Sequence, residues 1–327
     1  MQIIPDFDLT SHNTFGLGSR ARHAACVTAD ADLAEITTFA AAHRLPLRVI
    51  GGGSNLLLRE TLEGVALVMA TKGRSILAQE VDRILVRAAA GEDWPDFVAW
   101  TVGQGLGGLE NLAGIPGTVG AAPVQNIGAY GVELQDRFVS LTAWDTVGGQ
   151  PVTFGFEPCG FGYRQSIFKT TDRYIILDVT LSLPRPWYPV LDYKGLYDLP
   201  GNADPRRVME RVLDLRRRKL PDWRVLGNAG SFFHNPVVSA SVANGIAGAP
   251  RHAQADGTVK LSGAWLIEAC GLKGVREGKA GVYDGHALII VNHGGATFAN
   301  VSRLASRVRE AVRERFGVVL EQEPITV

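Results

Sequence analysis

One stretch, Gly227-Asn228-Ala229-Gly230-Ser231-Phe232-Phe233-His234-Asn235-Pro236, combines two glycines, a hydroxyl, two aromatic rings and two amides within ten residues. Glycine is favoured where the backbone takes positive φ or where a ligand approaches the main chain closely. We therefore expect Ser231 to lie on a constrained turn, with Phe232 and Phe233 in the core and an amide offered by Asn235. A hydroxyl held in this way can donate a proton. The alternative is an ordinary turn before a strand, with a serine that faces solvent.

The same stretch does not predict a hydrolase. A nucleophile elbow has the pattern Gly-x-Ser-x-Gly, and Phe233 stands where its last glycine belongs.

Length and composition predict a globular protein of several subdomains. The 327 residues exceed the roughly 250–300 at which a single hydrophobic core stops growing. Lys+Arg and Asp+Glu both number 33, so the formal net charge is zero. Because no sequence-wide field recruits polyanions, we expect neither a nucleic-acid nor a membrane partner, and any anionic ligand must be held locally.

Cysteine and histidine usage predicts a cytoplasmic protein without metal. Cys26, Cys159 and Cys270 are odd in number and lack a Cys-x-x-Cys pair, which is typical of a reducing compartment. The seven histidines show no metal-ligand spacing. The sequence has neither a basic-then-apolar amino-terminal segment nor an apolar run of about 18 residues.

A strand at 47–50 runs into Gly51-Gly52-Gly53-Ser54-Asn55. Several backbone N–H groups in a small concavity bind phosphate without lysine, which is one interpretation of this loop. A plain glycine turn is the other interpretation of this loop.

The Gly-x-Gly-x-x-Ala at 16–21 is not a dinucleotide fingerprint, because no strand is predicted before it. It is either an ordinary loop or a loop that touches a cofactor.

A second glycine-rich region extends from Gly103 to Gly131 and contains Gly114-Ile115-Pro116-Gly117-Thr118-Val119-Gly120-Ala121. Small residues with scattered amides and hydroxyls favour a backbone folded closely around a flat, polar-edged ligand. The alternative is glycine-rich disorder, which the interspersed Ile, Leu and Val disfavour.

Two basic positions have two interpretations each. Arg164 lies between a tyrosine and an apolar pair, where it could hold a carboxylate bidentately or form an exposed ion pair. The run Arg216-Arg217-Arg218-Lys219 ends a predicted helix that starts at Asp204, and cations there complement the helix dipole. Lys219 alone is kept as a functional candidate, since it precedes the serine stretch.

The remaining predicted elements are helices at 30–45, 93–102, 262–270 and 300–317 and strands at 65–69, 84–88, 174–183 and 287–291, which together give an α+β fold.

Six motifs, taken in order, resemble one family. They are Asn13-Thr14-Phe15, the 51–55 loop, the 114–121 stretch, Tyr163-Arg164-x-Ser166-x-Phe168, the 227–233 stretch and a glutamate near the carboxyl end. The chain resembles UDP-N-acetylenolpyruvoylglucosamine reductase, the flavoenzyme family of peptidoglycan precursor synthesis, over nearly its whole length.

This resemblance implies an FAD-binding fold of the vanillyl-alcohol-oxidase (PCMH) type in two subdomains, 1–70 joined by the tail 316–327, and 71–218. A third α+β subdomain, 219–315, would close over the substrate. FAD would be held by Asn13, Thr14, Gly51, Gly52, Gly53, Ser54, Asn55, Gly114, Ile115, Pro116, Gly117, Thr118, Gly120 and Ala121.

The resemblance also implies the chemistry and its residues. NADPH would reduce FAD, and a hydride would reach the methylene carbon of the enolpyruvyl group. Negative charge would then develop toward the substrate carboxylate, where Arg164 and Glu323 would stabilise it, and Ser231 would protonate the carbon as general acid. The substrate would contact Tyr163, Tyr193, Lys219, Asn235 and His286.

The resemblance also implies three finer details of this chain. The tyrosine-bearing loop at 187–194 places the chain in the subgroup with such a loop. Glu323 is preferred to Glu321 by its distance from Phe316-Gly317. His234 stands where relatives often have lysine, and the tail beyond Glu323 is short.

Two other functions compete with the reductase. A flavin oxidase of the same fold would act on an alcohol or sugar and return its electrons to oxygen. A nucleotide-binding module without catalysis would use the glycine loops alone. We expect a monomer that binds small molecules only.

Overall fold

The computed structural model describes residues 2–327, which form two compact units. Unit 1 comprises 2–7, 21–52 and 63–218, and unit 2 comprises 8–20, 53–62 and 219–327. The helices are α1 (Asp32–His43), α2 (Trp94–Gly103), α3 (Ile167–Thr170), α4 (Pro205–Lys219), α5 (Ala240–Asn244), α6 (Gly263–Ala269) and α7 (Phe298–Phe316). Among the described residues, every helix is too short or too polar to cross a lipid bilayer.

The strands lie between these helices, many of them in consecutive runs. They are β1 (Ile4–Asp8), β2 (Arg20–Val27), β3 (Leu47–Ile50), β4 (Leu56–Leu57), β5 (Thr61–Met69), β6 (Arg74–Gln79), β7 (Arg83–Ala89), β8 (Gly128–Ala129), β9 (Val132–Glu133), β10 (Phe138–Asp145), β11 (Gln150–Phe154), β12 (Tyr174–Pro184), β13 (Gly227–Ser231), β14 (Val237–Val238), β15 (Arg251–Ala253), β16 (Val259–Leu261), β17 (Arg276–Glu277), β18 (Ala280–Val282), β19 (Ile289–Asn292) and β20 (Ile325–Thr326).

Unit 1 is built from two sheets and one hydrophobic core. The first sheet has the order β1-β2-β5-β3, with β3 and β5 parallel, and the second has the order β11-β10-β12-β7-β6 with antiparallel pairs. The strands alternate buried and exposed residues where one face is covered, and β12 is buried along most of its length. Trp94 and Phe97 of α2 fill the core at 1% and 0% exposure.

Unit 2 has its own core under α6 and α7. Its sheets have the orders β13-β19-β18-β17 and β14-β16-β15, and the tail strand β20 pairs in parallel with β4. Val301, Leu304, Val308 and Val312 recur at helical spacing and are all fully buried, which is why α7 packs on one face.

The predicted helices are all present, with their boundaries displaced by one to a few residues. Asp93 caps α2 by accepting the Asp96 N–H at 3.0 Å, as its position predicted. The predicted start of the last helix at Asn300 was wrong: Thr297 is the N-cap of α7, and Asn300 closes the capping box from the third helical position.

Two expectations about the loops need correction. Ser231 ends strand β13 rather than lying on the constrained turn that was predicted. The Gly-x-Gly-x-x-Ala segment is preceded by a strand, β1, which its polar sequence did not predict; it leads into another strand, β2, so the helix that a dinucleotide fingerprint requires is absent there.

The chain passes between its two compact units at Arg218–Lys219, where the third subdomain is predicted to begin. Within unit 1 the two sheets divide between β5 and β6, on either side of residue 70. The division of the chain into three subdomains stays a prediction.

Candidate active site

Ser231 is held at the end of a bulged strand in unit 2. Strand β13 pairs antiparallel with β19, and the register shifts between Asn228 and Ser231, so β13 carries one extra residue there. Gly230 supplies the bulge with a φ of +70° and donates its N–H to the Asn228 side chain at 3.0 Å. Among residues 2–327, nothing hydrogen-bonds the Ser231 hydroxyl. The hydroxyl is thus positioned by backbone and available to a substrate.

Two buried rings fix the strand that carries this serine. Phe232 and Phe233 are each 1% exposed, and Phe232 contacts Phe15 edge to face at 6.4 Å between ring centroids. The Phe232 N–H donates to the Leu288 carbonyl at 2.7 Å. The prediction that this aromatic pair anchors the serine is confirmed.

The tail of the chain pairs with the residues that follow Ser231. The Glu323 N–H donates to the Phe232 carbonyl at 3.0 Å, and the His234 N–H donates to the Glu321 carbonyl at 2.9 Å. Phe233 and Gln322 form an antiparallel bridge between them. This short ladder brings Glu323 beside the serine strand although the two are distant in sequence.

The two tail glutamates have different environments. The Glu321 side chain is 80% exposed, whereas that of Glu323 is 13% exposed. A carboxyl group acts on a developing charge most strongly where water is excluded. Of the two, Glu323 has the environment that such a role requires.

Of the predicted cofactor residues Asn13 and Thr14, Thr14 hydrogen-bonds the strand that carries the serine. The Thr14 hydroxyl donates to the Asn228 carbonyl at 2.7 Å, and the Asn228 N–H donates to the Thr14 carbonyl at 3.0 Å. The Asn13 amide bonds Leu9 and Leu17 within its own loop. Thr14 therefore joins two segments of unit 2, and Asn13 holds its own loop together.

The end of the glycine loop, residues 53–55, hydrogen-bonds segments of unit 2 near the serine strand. The Thr14 N–H donates to the Gly53 carbonyl at 3.1 Å, and Asn55 donates its amide N–H to the Glu323 carbonyl at 3.3 Å. A Cβ on Gly53 would lie 2.0 Å from the His12 carbonyl oxygen. In unit 2, the loop from Gly53 through the half-buried Ser54 to Asn55 thus lies against both the 13–14 segment and the tail.

In unit 1 the two predicted glycine regions pack on each other. A Cβ on Gly51 would lie 2.6 Å from Thr118 Oγ1, and one on Gly52 would lie 2.6 Å from Gly117 Cα. Glycine is required at Gly52 by the approach of the Gly117 backbone and at Gly51 by the Thr118 and Ala121 side chains. The remaining members of the second region, Ile115, Pro116, Gly120 and Ala121, are all half-buried and thus partly accessible.

Replacing Gly52 with alanine is expected to push the two loops apart, because the new methyl would meet main-chain atoms that cannot rotate away. We expect a cost of about 1–3 kcal/mol in the free energy of unfolding and a loss of bound flavin, measured by denaturant titration and by the visible spectrum. The matched control is Gly103→Ala, since a Cβ on Gly103 meets nothing within 4 Å. Equal flavin content in both variants would contradict the close-packing argument.

Arg216 is a desolvated cation beside the second glycine region, and the sequence interpretation did not select it. Its guanidinium packs against Gly114, where a Cβ would lie 3.2 Å from Nε. Burial lowers the pKa of the Arg216 guanidinium, and the neighbouring Tyr130 acts in the opposite direction. Within residues 2–327, no carboxylate pairs with this cation. The sequence does contain a signal that Arg216 is buried. Val208, Val212 and Arg216 share one face of α4, and both valines are fully buried.

A hairpin lies between Arg216 and two residues of unit 1 that were predicted for the site. Strands β8 and β9 are joined by Tyr130 and Gly131, with φ of +50° and +85°, the geometry of a two-residue primed turn. Tyr130 contacts Tyr193 edge to face at 5.0 Å between ring centroids. Burial raises the pKa of the Tyr130 phenol, so the ring stays neutral. Tyr193 itself remains 38% exposed.

Arg164 docks on the same hairpin. Its Nη2 donates to the Gly128 carbonyl at 2.9 Å, and its guanidinium lies 5.2 Å from the centroid of the half-exposed Tyr163 ring. Its own carbonyl accepts a hydrogen bond from Lys169 Nζ at 3.1 Å. The backbone of Arg164 has a φ of +55°, a left-handed conformation that is unfavourable for a residue with a Cβ. Strain of this kind is retained where the surrounding structure fixes a side chain.

The remaining predicted substrate residues lie in unit 2. The pKa of His286 is lowered by burial and then by the nearby Lys219 cation, so these two residues lie close together and the imidazole is neutral near pH 7. Lys219 is exposed at the end of α4. Asn235 accepts the Gly263 N–H through Oδ1 at 2.9 Å, and its Nδ2 donates to none of the described residues.

Two family models match this chain. The FAD binding domain matches residues 21–155, and the C-terminal domain of UDP-N-acetylenolpyruvoylglucosamine reductase matches residues 221–327. The curated enzyme of that name from Pseudomonas aeruginosa is 51% identical over 326 residues, covering 97% of this chain and 96% of the relative. That from Cupriavidus pinatubonensis is 47% identical over 330 residues, covering 98% of each.

A solved structure extends the likeness to three dimensions. The crystal structure of UDP-N-acetylenolpyruvylglucosamine reductase (MurB) from Thermus caldophilus is 26% identical, with a TM-score of 0.69 over 99% of this chain and 98% of that chain. The fold is therefore the expected α+β fold with an FAD-binding domain of the vanillyl-alcohol-oxidase type. The near full-length matches in sequence and in structure agree, and this chain belongs to the UDP-N-acetylenolpyruvoylglucosamine reductase family.

Proposed function

We propose that Ser231, Glu323 and Arg164 carry out the family reaction in this chain. That reaction is the NADPH-dependent reduction of UDP-N-acetylglucosamine enolpyruvate to UDP-N-acetylmuramate through FAD, in peptidoglycan precursor synthesis. The observation that carries the proposal is the ladder of unit 2, in which the Glu323 N–H bonds the carbonyl of Phe232, next to Ser231.

The roles follow from where charge develops on the substrate. When the methylene carbon accepts a hydride, the electron pair of the double bond moves toward the carbon that bears the ether oxygen and into the carboxylate. Arg164 is suited to bind that carboxylate through paired N–H donors. Glu323, as the carboxylic acid, donates a hydrogen bond to the developing charge. Ser231 gives its hydroxyl proton to the carbon, which is strongly basic at that stage.

FAD supplies the hydride chemistry between NADPH and the enolpyruvyl group when it is bound. The residues fit such a cofactor because Arg216, beside Gly114, is a half-buried cation without a carboxylate partner in the described chain. A buried charge of this kind requires a compensating group. We assign Arg216 to FAD together with the 51–55 loop and the 114–121 stretch.

Replacing Arg216 with alanine is expected to weaken flavin retention without unfolding the protein, because the cation loses no ion pair within the chain. We expect the flavin dissociation constant to rise by about tenfold to a hundredfold, since a charged hydrogen bond contributes about 1.5–3 kcal/mol. Fluorescence titration of apoprotein with FAD measures it. Arg217→Ala, at the exposed neighbouring position, is the control, and equal affinities in the two variants would remove Arg216 from the cofactor site.

Product analysis tests the function itself. In deuterium oxide, turnover with NADPH should place one solvent deuterium on the ether-bearing carbon of the product, since the proton there comes from Ser231, which exchanges with solvent. The methyl carbon should receive its new hydrogen through the flavin, where the transferred hydrogen is bound to nitrogen and exchanges with solvent, so the label at the ether-bearing carbon is the diagnostic one. UDP-N-acetylglucosamine, which lacks the enolpyruvyl group, should not be turned over. An ether-bearing carbon that takes up no solvent deuterium would contradict the assignment of hydride and proton.

The flavin oxidase is the second candidate function, and oxygen consumption by the same purified holoprotein tests it. An oxidase would reduce its flavin with an alcohol or sugar and consume oxygen without NADPH. A non-catalytic module would bind nucleotide and turn over nothing. Neither alternative accounts for a serine, an arginine and a glutamate in the environments described above.

We further infer a monomeric protein of the cytoplasm that binds small molecules and neither nucleic acid nor membrane. Three free cysteines, Cys26, Cys159 and Cys270, fit a reducing compartment. Burial raises the pKa of the Cys159 thiol to about 12, so that thiol is unreactive. The balanced net charge supports the absence of polyanionic partners.

A further inference from the structure

The imidazole of His234 lies between the two carboxylates of the tail. Its Nδ1 is 3.8 Å from Glu321 Oε2, and its Nε2 is 4.0 Å from Glu323 Oε2. The ring is 16% exposed, and its backbone N–H is bonded to the Glu321 carbonyl at 2.9 Å. The ladder that positions Glu323 therefore also positions this ring.

A carboxylate at each ring nitrogen favours the imidazolium. A neutral imidazole has one N–H donor and one acceptor nitrogen, whereas a carboxylate only accepts, so both nitrogens face carboxylates favourably only when both carry hydrogen. The tail supplies Glu321 and Glu323 to the ring. Gly263, which begins α6 beside the His234 carbonyl, brings no titratable group, and Asn235 and Ser231 of the same segment are neutral.

We infer that His234 is a positioning residue that supplies Glu323 with the proton it needs to act as a hydrogen-bond donor. As negative charge develops on the substrate, the proton moves from His234 Nε2 to Glu323 Oε2. The carboxylate becomes a carboxylic acid and the imidazolium becomes neutral. When Ser231 has protonated the substrate carbon, the proton returns to Nε2, so the pair holds one proton before and after each turnover.

The geometry of the two side chains permits this transfer. Catalytic hydrogen bonds are often long without substrate and shorten in the complex, and the separation of 4.0 Å exceeds a hydrogen bond by about 1 Å. Glu323 and His234 titrate as a coupled pair, whose upper apparent pKa then limits the reaction at high pH. This inference rests on the role proposed for Glu323, and it names the source of that residue's proton.

The test is the pH dependence of flavin reoxidation by the enolpyruvyl substrate in three full-length holoenzymes: wild type, His234→Gln and His234→Lys. Lysine keeps its proton to about pH 10.4, histidine to about 6.5 and a lone glutamate to about 4.3 in water. The high-pH midpoint should therefore be lowest for His234→Gln, intermediate for wild type and highest for His234→Lys. Flavin reduction by NADPH should have the same pH profile in all three.

Glu321→Gln is the matched control. It removes the carboxylate at the other ring nitrogen, but that side chain is 80% exposed and screened by water. Its midpoint should shift less than that of His234→Gln. Coinciding midpoints in wild type and both His234 variants would overturn the inference.

Failure of the inference is distinguishable from failure of the proposed function. If Glu323→Ala slows reoxidation while the His234 variants leave the midpoint unchanged, Glu323 keeps its role and His234 loses its own. If Glu323→Ala, which removes every hydrogen-bond donor at this position, leaves reoxidation unchanged, the role proposed for Glu323 is wrong and the His234 inference falls with it. Thermal unfolding of each variant separates these results from loss of the fold.

Discussion

Replacing Ser231 with alanine is expected to slow flavin reoxidation by the enolpyruvyl substrate about 10²–10⁴-fold, the range of a lost general acid. Reduction by NADPH should be nearly unchanged, because that half-reaction requires no proton at the substrate carbon. The serine hydroxyl hydrogen-bonds none of the described residues, and Ser231 is held by backbone pairing with Ile289. The loss should therefore occur in one half-reaction, measured by anaerobic stopped-flow spectroscopy.

Ser231→Cys is the matched variant for this prediction. A thiol keeps a transferable proton at the same position, so it should recover part of the lost rate, whereas alanine recovers none. The free energy of unfolding should change by less than about 0.5 kcal/mol in Ser231→Ala, because no hydrogen bond within the chain is lost. Slowing of the NADPH half-reaction alone would contradict the role of Ser231 as proton donor.

Replacing Arg164 with alanine should lower kcat/KM for the enolpyruvyl substrate by about 2–5 kcal/mol in transition-state stabilisation, roughly 30-fold to 5,000-fold. The guanidinium is directed by the Gly128 carbonyl at 2.9 Å. Alanine removes the charge that would meet the substrate carboxylate. Steady-state kinetics with NADPH in excess measure the effect.

Arg164→Gly separates the charge from the backbone strain. Both variants lose the guanidinium, but glycine adopts the φ of +55° without the Cβ conflict. The glycine variant should therefore be more stable than the alanine variant by about 1 kcal/mol and equally inactive. An alanine variant with unchanged kcat/KM would place Arg164 outside the site, and equal stabilities would contradict the strain argument.

The helices could be predicted from sequence because their signals are local. Asp93 begins α2 and Gly317 ends α7, the latter with a φ of +68°, and both positions were readable without the fold. The apolar periodicity of α7 likewise predicted its buried face. Strand partners are non-local, so the pairing of β13 with β19 and of the tail with 232–234 could not be derived from spacing.

Only part of the candidate site could be predicted, because non-local pairing also determines which of its residues lie near one another. The family resemblance selected Glu323, and spacing could not predict that the backbone ladder between 232–234 and 321–323 brings its segment beside that of Ser231. Arg216 was missed because a cation near a helix end has a sufficient explanation in the helix dipole, although its spacing from Val212 indicated the buried face. Gly51 and Gly52 were attributed to a ligand, and the structure shows that Thr118 and Gly117 occupy the space beside them.

The pairing of His234 with two glutamates was also outside the reach of sequence. A histidine after two phenylalanines has no local signal of function, and its carboxylate neighbours come from the tail. The distances give this histidine a physical consequence, since an imidazole can both hold and release a proton near neutral pH.

The visible spectrum of the purified holoprotein under anaerobic conditions tests the central claim most directly. Addition of NADPH should bleach the oxidised flavin band, and subsequent addition of UDP-N-acetylglucosamine enolpyruvate should restore it in full, whereas UDP-N-acetylglucosamine should not. A band that bleaches with a sugar or alcohol and returns only with oxygen would contradict the reductase account in favour of the oxidase. A protein that stays colourless after addition of FAD would contradict both.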